Sequence, residues 1–435
     1  MMGGDILFAV ALLAGLLFLL LIGLEIAWSV GVIALIGLLF FVDQPINQIA
    51  YTMWDSLNSF ALTAMPLFIL MGSILGNTGV NEKLFSAINK WVGHLPGGLV
   101  ISVISGNAVF AAMSGSAMAA TATFGKIAFP AMEKRGYAPS FALGSIASGS
   151  VLAPLIPPSI LLILYGAWQG LSIVDLLAAG LVPGLMLTAL LLLTAVIMVK
   201  IKPELAPPPF HSTWAERGRA LIDVLPFAAV ILGVLGAIFG GLMTPTEGGG
   251  LGAILSILLT LSYRRLTFKI LQQSLLDTVR VTSFSLFIMA MATLVAHVFN
   301  SAGIIPMLKD AILGLGVGKY TIVVGFFIMY LIMGMFFDSW SMLFLTFPFV
   351  MPIIIGLDIN PIWWGVIYVL AAEQSTITPP FGLVLFVMRT VVPKHTMATV
   401  VKGSLPYLIP IYINIILLIL FPDLVLWLPR LLSGN

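Results

Sequence analysis

Apolar stretches as long as a membrane is thick alternate with short polar or proline-rich segments along this chain. In the first half, these stretches predict spans near 6–24, 27–42, 57–78, 98–130, 137–169 and 174–199. The fourth stretch turns at small polar residues (113–121), and the fifth is broken at Pro157 and Pro158. About 20 apolar residues form a helix that crosses the ~30 Å hydrocarbon layer. The pattern therefore predicts an all-α, polytopic membrane protein.

The second half repeats this order of elements. Its apolar stretches lie near 221–242, 248–262, 281–300, 319–352, 361–388 and 404–428. A polar turn around 334–341 interrupts the fourth stretch, and Pro379 and Pro380 break the fifth. The sequence therefore predicts two structural repeats, each with a helical hairpin followed by a broken helix.

Composition agrees with a membrane protein and excludes several kinds of site. Hydrophobic residues make up 60% of the chain and charged residues 8%, against about 25% charged residues in soluble domains. There is no cysteine, and the four histidines lie far apart in the sequence. We therefore expect no transition-metal site, no organic cofactor and no nucleic-acid partner.

The distribution of Lys and Arg predicts the topology. If the hydrophilic loop 200–219 is cytoplasmic and both polar turns are re-entrant hairpin tips, all of the 19 Lys and Arg except Lys309, Lys319 and Arg430 fall on the cytoplasmic side. Cytoplasmic loops carry such an excess. The two hairpins then enter from opposite sides, the repeats are inverted, and both chain ends are extracytoplasmic. The N-terminal apolar segment lacks a basic flank, so we expect a retained span rather than a signal peptide.

The proline pairs indicate where function resides. Proline ends a helix and leaves upstream carbonyls unpaired, and each unsatisfied polar group in hydrocarbon costs several kcal/mol. Such a break persists where protein, water or an ion satisfies it. Inverted repeats with discontinuous helices are typical of secondary transporters, whose ion and substrate sites lie between the helix ends. We interpret the two breaks as the two halves of one transport site.

Oxygen-bearing residues near the breaks suit a hard cation such as Na⁺. The candidates are Gly149, Ser150 and Leu152 at the first break, Thr376 and Thr378 at the second, and Ser114, Ser116, Ser339 and Ser341 at the hairpin tips. The alternative is that these hydroxyls only donate to carbonyls one turn earlier in their own helices.

Two carboxylates, Asp338 and Glu373, lie at membrane depth. An intramembrane carboxylate suggests a functional site, so both are candidates for the substrate site or for proton coupling. Asp338 has a structural alternative, which is to cap the second arm of its hairpin. Glu247, in Thr244-Pro245-Thr246-Glu247, is instead expected to form a capping box at a helix start.

The motifs MSGSAMAATATFGKIAFPAMEKRGY, SGSVLAPLIPPSILLILYG, GGLMTPTEGGGLGA and TITPPFGLVLF, in this order, resemble the large membrane subunit of tripartite ATP-independent periplasmic (TRAP) transporters. The resemblance covers essentially the whole chain. It implies an elevator-type symporter that imports small organic acids with a Na⁺ gradient. It also implies two Na⁺ sites, one at Ser114, Gly149, Leu152 and Pro154, and one at Gly334, Ser375, Thr378 and Phe381. Ala117 departs from a common family Ser, and Ser375 from a common Gly.

The resemblance also implies partners and a division of the chain. We expect a separate four-helix membrane subunit, a periplasmic binding protein, and a location in the bacterial inner membrane. The predicted division is scaffold at 1–80 and 171–262, amphipathic arms at 81–94 and 263–280, a transport domain at 95–170 and 281–395, and a C-terminal helix at 396–435. The arms are candidates for membrane-lipid contact.

Three alternatives remain open. A transporter of the same fold could couple to protons through Glu373 or Asp338. An intramembrane hydrolase would need a Ser/His or paired-Asp arrangement, which the motifs do not provide, so we expect no enzyme. A channel fits two re-entrant hairpins with broken helices less well than alternating access does.

Overall fold

A computed structural model describes residues 2–40, 47–79 and 81–434, and these residues form helices with no strand among them. The helices up to the central loop are α1 (Met2–Leu21), α2 (Ile26–Phe40), α3 (Asn47–Leu57), α4 (Ala64–Asn77), α5 (Asn81–Val92), α6 (Gly98–Ser114), α7 (Ala117–Lys134), α8 (Pro139–Ser150), α9 (Ile160–Gln169) and α10 (Ile173–Ile201). Those after it are α11 (Trp214–Phe239), α12 (Pro245–Ser262), α13 (Phe268–Ser301), α14 (Ile304–Leu313), α15 (Lys319–Met333), α16 (Ser339–Gly356), α17 (Pro361–Ser375), α18 (Leu383–Val391), α19 (Met397–Leu420) and α20 (Asp423–Ser433). Six of the described helical segments are long and apolar enough to cross a membrane.

The helix order confirms the predicted repeat. Each half contains an amphipathic helix (α5, α14), a hairpin (α6–α7, α15–α16), a broken helix (α8–α9, α17–α18) and a closing helix (α10, α19). The packing repeats as well, because α4 packs on α12 and α2 packs on α13. Helix α4 corresponds to α13 and α2 to α12, so exchanging the two halves converts one pair into the other.

One element differs from the sequence prediction. The predicted arm at 263–280 is not a separate helix, because α13 runs without interruption from Phe268 to Ser301. This segment contains neither Gly nor Pro, so nothing in it ends the helix. The second-half equivalent of α5 is α14, and each follows a left-handed glycine, Gly79 and Gly303 respectively.

The helices fall into two packing groups. The hairpins and broken helices pack with α10 and α19, and α19 crosses α8 where the backbones of Gly144 and Gly403 meet directly. Helices α2, α4, α12 and α13 form the other group, and α11 packs on α5 and α12. The division drawn from the sequence placed α10 with the scaffold at 171–262 and α19 in a separate segment, 396–435. The packing instead associates both helices with the hairpins.

Candidate transport site

The first hairpin tip is a tight turn between α6 and α7. Gly115 adopts a left-handed φ of 59°, and a Cβ there would meet the side chain of Ile160, the first residue of α9. Ser116 caps α7, accepting a hydrogen bond from the Ala119 amide at 3.4 Å. Glycine therefore allows the tip to lie directly on the second part of the first broken helix.

The second hairpin tip is held by a carboxylate. Asp338 caps α16 by accepting hydrogen bonds from the amides of Trp340 at 3.1 Å and Ser341 at 3.3 Å, and also from the Ser341 hydroxyl. The structural role considered for Asp338 is thus present. It does not exclude a second role, because Asp338 also lines two cavities.

Both broken helices leave the helical conformation at their proline pairs. The first is non-helical between Ser150 and Ile160, and the second between Ser375 and Leu383. The Pro157–Pro158 and Pro379–Pro380 peptide bonds are both cis. Ser159 restarts the first broken helix by accepting from the Leu162 amide at 3.2 Å, while its hydroxyl donates to the Pro154 carbonyl.

Each hairpin is bonded to the broken helix of its own half. In the first half, the Thr121 hydroxyl donates to the Ser150 hydroxyl oxygen at 2.7 Å. In the second half, the Ser339 hydroxyl donates to the Glu373 carboxylate at 2.6 Å, and the Tyr368 hydroxyl donates to the Ser339 carbonyl. These bonds link each tip region to its break.

A small cavity of about 30 Å³ joins the two halves. It is lined by Ser116, Ala117, Met118, Pro154, Asp338, Ser339, Trp340, Glu373, Thr376, Leu383 and Val384. Both tips and both breaks therefore contribute to one space, whose volume is close to that of a water molecule or a small ion.

A larger cavity of about 930 Å³ lies beside it, between the first hairpin and helices α4 and α13. Ser116, Met118, Asp338 and Trp340 line both cavities. The larger cavity also contains Lys126 and Arg280. The small cavity thus adjoins a space large enough for an organic metabolite.

The predicted cation ligands of the first site lie at the first tip and break. Ser114 is 8% exposed, and its hydroxyl has no hydrogen-bond partner among the described residues. The Leu152 carbonyl, expected to be free, accepts from the amides of Leu155 at 3.1 Å and Ile156 at 2.9 Å. The Gly149 carbonyl likewise accepts from the Leu152 amide at 3.3 Å. A carbonyl oxygen has two lone pairs, so the two amides engage both of those on Leu152, and a cation would compete with the turn for this oxygen.

The predicted ligands of the second site show the local bonding considered as an alternative. The hydroxyls of Ser375, Thr376 and Thr378 donate to carbonyls of the preceding turn, at 2.5, 2.7 and 2.9 Å respectively. Gly334 lies so close that a Cβ there would overlap the Ser375 hydroxyl. Phe381 is half exposed and packs on Phe336 with ring centroids 5.5 Å apart. A hydroxyl that donates locally keeps its lone pairs for a cation.

Sequence reasoning missed Asn107. This α6 residue is fully buried and packs against Gly149, its Nδ2 donates to the Val103 carbonyl at 3.1 Å, and its Oδ1 has no partner among the described residues. A lone amide within the apolar stretch 98–113 was the available signal. Within the same described part of the chain, no group of three His, Asp or Glu could hold a metal ion.

Paired hairpins and broken helices around one small cavity define a secondary-transporter fold. The chain belongs to the DctM component family of the tripartite ATP-independent periplasmic transporters, which matches residues 13–424. It is therefore a transporter component rather than an enzyme.

Among its relatives, the chain is 32% identical to the C4-dicarboxylate TRAP transporter large permease protein DctM of Vibrio cholerae, over 98% of each chain. It is also 32% identical to the 2,3-diketo-L-gulonate TRAP transporter large permease protein YiaN of Escherichia coli, over 93% of this chain and 95% of YiaN. The solved YdaH transporter of Alcanivorax borkumensis shares the fold, with a TM-score of 0.57 and 15% identity over 90% of this chain and 95% of YdaH.

Proposed function

We propose that this chain couples import of a small organic acid to a Na⁺ gradient by an elevator movement. The observation that carries the proposal is the cavity of about 30 Å³ at which both tips and both breaks meet. The names of relatives support the substrate class, since they specify C4-dicarboxylates, 2,3-diketo-L-gulonate and sialic acid.

The charge of this cavity supports coupling. Asp338 and Glu373 line it, and no Lys or Arg is among its lining residues. Two like charges 4 Å apart repel by about 4 kcal/mol at an effective dielectric constant of ~20. An organic anion therefore binds more favourably after cations have bound, which links its binding to that of the cations.

The packing groups support the elevator movement. The hairpins, broken helices, α10 and α19 would move as one body against α2, α4, α12 and α13. The 930 Å³ cavity lies between the groups. With the 200–219 loop in the cytoplasm, Lys126 and Arg280, which line this cavity, fall on the cytoplasmic side, and we infer an inward-open conformation.

We assign the first Na⁺ site to Ser114, Gly149, Leu152 and Pro154, and the second to Gly334, Ser375, Thr378 and Phe381.

The second candidate function is proton coupling. The hydrogen bond between Ser339 and the buried Glu373 carboxylate favours it, because a carboxylate linking tip and break could change their contact on protonation.

The proposal also includes the assembly. A separate small membrane subunit and a periplasmic binding protein would complete the transporter in the bacterial inner membrane, with both chain ends in the periplasm. The binding protein would deliver the acid from the periplasm.

Thermal stability of the purified assembly tests the cation assignment without knowledge of the substrate. NaCl, KCl and choline chloride are titrated in parallel. A ligand at a hundredfold excess over its Kd stabilises the folded state by about 2.7 kcal/mol, so we expect a saturable rise specific to Na⁺. Thr378→Ala should weaken this rise. Identical melting curves in the three salts, together with a pH-dependent uptake of acid, would indicate that the coupling ion is the proton and not Na⁺.

A further inference from the structure

Equivalent residues from the two repeats form the boundary between the two cavities. Ser116 caps α7 and Asp338 caps α16. Met118 and Trp340 each follow their cap by two positions, and all four residues line both cavities. This boundary therefore has one large apolar side chain from each hairpin.

Both apolar side chains have surface to offer a ligand. Met118 is 42% exposed although it lies at a hairpin tip. Trp340 is half buried, its ring stacks on no other aromatic ring, and its indole N–H donates to no acceptor within the described residues. Its indole nitrogen is also not one of the buried atoms that lack a partner, so a ligand can reach this N–H.

The backbone fixes where these side chains are. The Trp340 amide donates to the Asp338 carboxylate at 3.1 Å, and the first turn of α16 starts there. The Ser116 cap holds the start of α7 in the same manner. The two side chains thus project from anchored helix starts.

Further apolar side chains line the larger cavity. Ile69, Phe110, Ile160 and Phe284 line it, and its only basic lining residues are Lys126 and Arg280. A ligand at this boundary therefore meets apolar side chains together with the Asp338 carboxylate, and Glu82 and Asp277 are further carboxylates of the larger cavity.

We propose that Met118 and Trp340 form a clamp that holds the carbon skeleton of the transported acid, with the indole N–H as a hydrogen-bond donor to it. The inference rests on the proposed transport function. It specifies the substrate class as an organic acid whose body presents an aromatic or branched apolar face. A polyhydroxylated or dicarboxylic skeleton would leave the apolar clamp against polar groups.

Calorimetric titration of the complete membrane assembly at saturating NaCl tests the clamp. The probes are phenylacetate, which carries an aromatic face, and succinate, which does not. The variants are Trp340→Ala, Trp340→Phe and Met118→Ala. Phe268→Ala is the matched control, because Phe268 is exposed at the start of α13 and lines neither cavity.

We expect wild-type protein to bind phenylacetate more tightly than succinate. Trp340→Ala should raise the Kd for phenylacetate about tenfold, which corresponds to about 1.4 kcal/mol. Met118→Ala should act in the same direction, and Trp340→Phe should recover part of the loss. The control and the Na⁺-dependent thermal stabilisation should stay at wild-type values.

Three outcomes would overturn the clamp. Tighter binding of succinate than of phenylacetate overturns the substrate class while leaving the transport proposal in place. If Trp340→Ala weakens the binding of both acids equally and also abolishes the Na⁺-dependent stabilisation, Trp340 has a structural role instead. If wild-type protein binds neither acid and shows no Na⁺ stabilisation, the clamp and the proposed function both fail.

Discussion

Gly334→Ala tests whether the second hairpin must rest directly on the second break. Gly334 follows α15 with a φ of −73°, a conformation that alanine adopts without strain. The added Cβ would nevertheless overlap the side chain of Ser375 and lie 3.1 Å from the Cε atom of Met342. The substitution therefore isolates a packing conflict from any backbone effect.

The magnitude follows from two opposing terms. Replacing Gly by Ala at a compatible backbone position stabilises by about 0.4–1 kcal/mol, and overpacking a buried contact costs about 1–3 kcal/mol. We expect a net loss of about 1–2 kcal/mol. In a Ser375→Gly background the conflicting side chain is gone, so the same change should be neutral or stabilising. The coupling between the two positions should be about 2 kcal/mol.

The assay is thermal unfolding of the single and double variants in NaCl and in choline chloride. Gly325→Ala is the matched control in the same hairpin, since a Cβ there would meet nothing within 4 Å. Gly334→Ala should lower both the melting temperature and the Na⁺-dependent rise. A Gly334→Ala protein as stable as wild type, or an equal loss in both backgrounds, would refute the direct contact.

Three further predictions address other parts of the molecule. The Lys394 ammonium donates to Glu133 at 2.7 Å and lowers the pKa of that carboxyl below its ordinary value of 4.5. A carboxyl whose pKa is lowered in the folded state stabilises the protein above the unfolded-state pKa, and this stabilisation is lost on acidification. Glu133→Gln should therefore melt below wild type at pH 7 and match it under strongly acidic conditions, and a constant difference in melting temperature across the pH range would contradict this. Gly403→Ala would drive a Cβ into the Ser140 carbonyl, so the yield of monodisperse protein should fall sharply, whereas Gly250→Ala, with open space around its Cβ, should express normally. A C-terminal alkaline phosphatase fusion should be active in the periplasm, and a fluorescent C-terminal green fluorescent protein fusion would contradict the topology.

Much of the architecture could be predicted because it depends on local chemistry. Gly115, within the small residues at 113–121, permits a tight turn, polar residues at 334–341 interrupt a second apolar stretch, and the proline pairs at 157–158 and 379–380 end their helices. Their positions therefore located both hairpin tips and both breaks. The cap formed by Asp338 was also foreseeable, since a carboxylate before a helix start has free amides within reach.

Other features depend on neighbours that hydropathy does not identify. The hydropathy pattern of an apolar helix such as α10 is the same whether the helix packs on the scaffold or on the hairpins. Hydroxyls such as that of Thr378 can face a cation or their own helix, and only the structure places the local bond at 2.9 Å. Met118 and Trp340 can be recognised as equivalent positions only after both helix caps have been located.

Helix α13 has a consequence for the surrounding bilayer. At a rise of about 1.5 Å per residue, its 34 residues extend for about 51 Å, well beyond a hydrocarbon layer of about 30 Å. Either the helix tilts or its amino-terminal turns stand clear of the lipid. Because α13 packs along α2, α3 and α16, its inclination is shared with its neighbours. Lipid composition should therefore influence this protein through membrane thickness, with thin and thick bilayers favouring different inclinations of the same rigid rod.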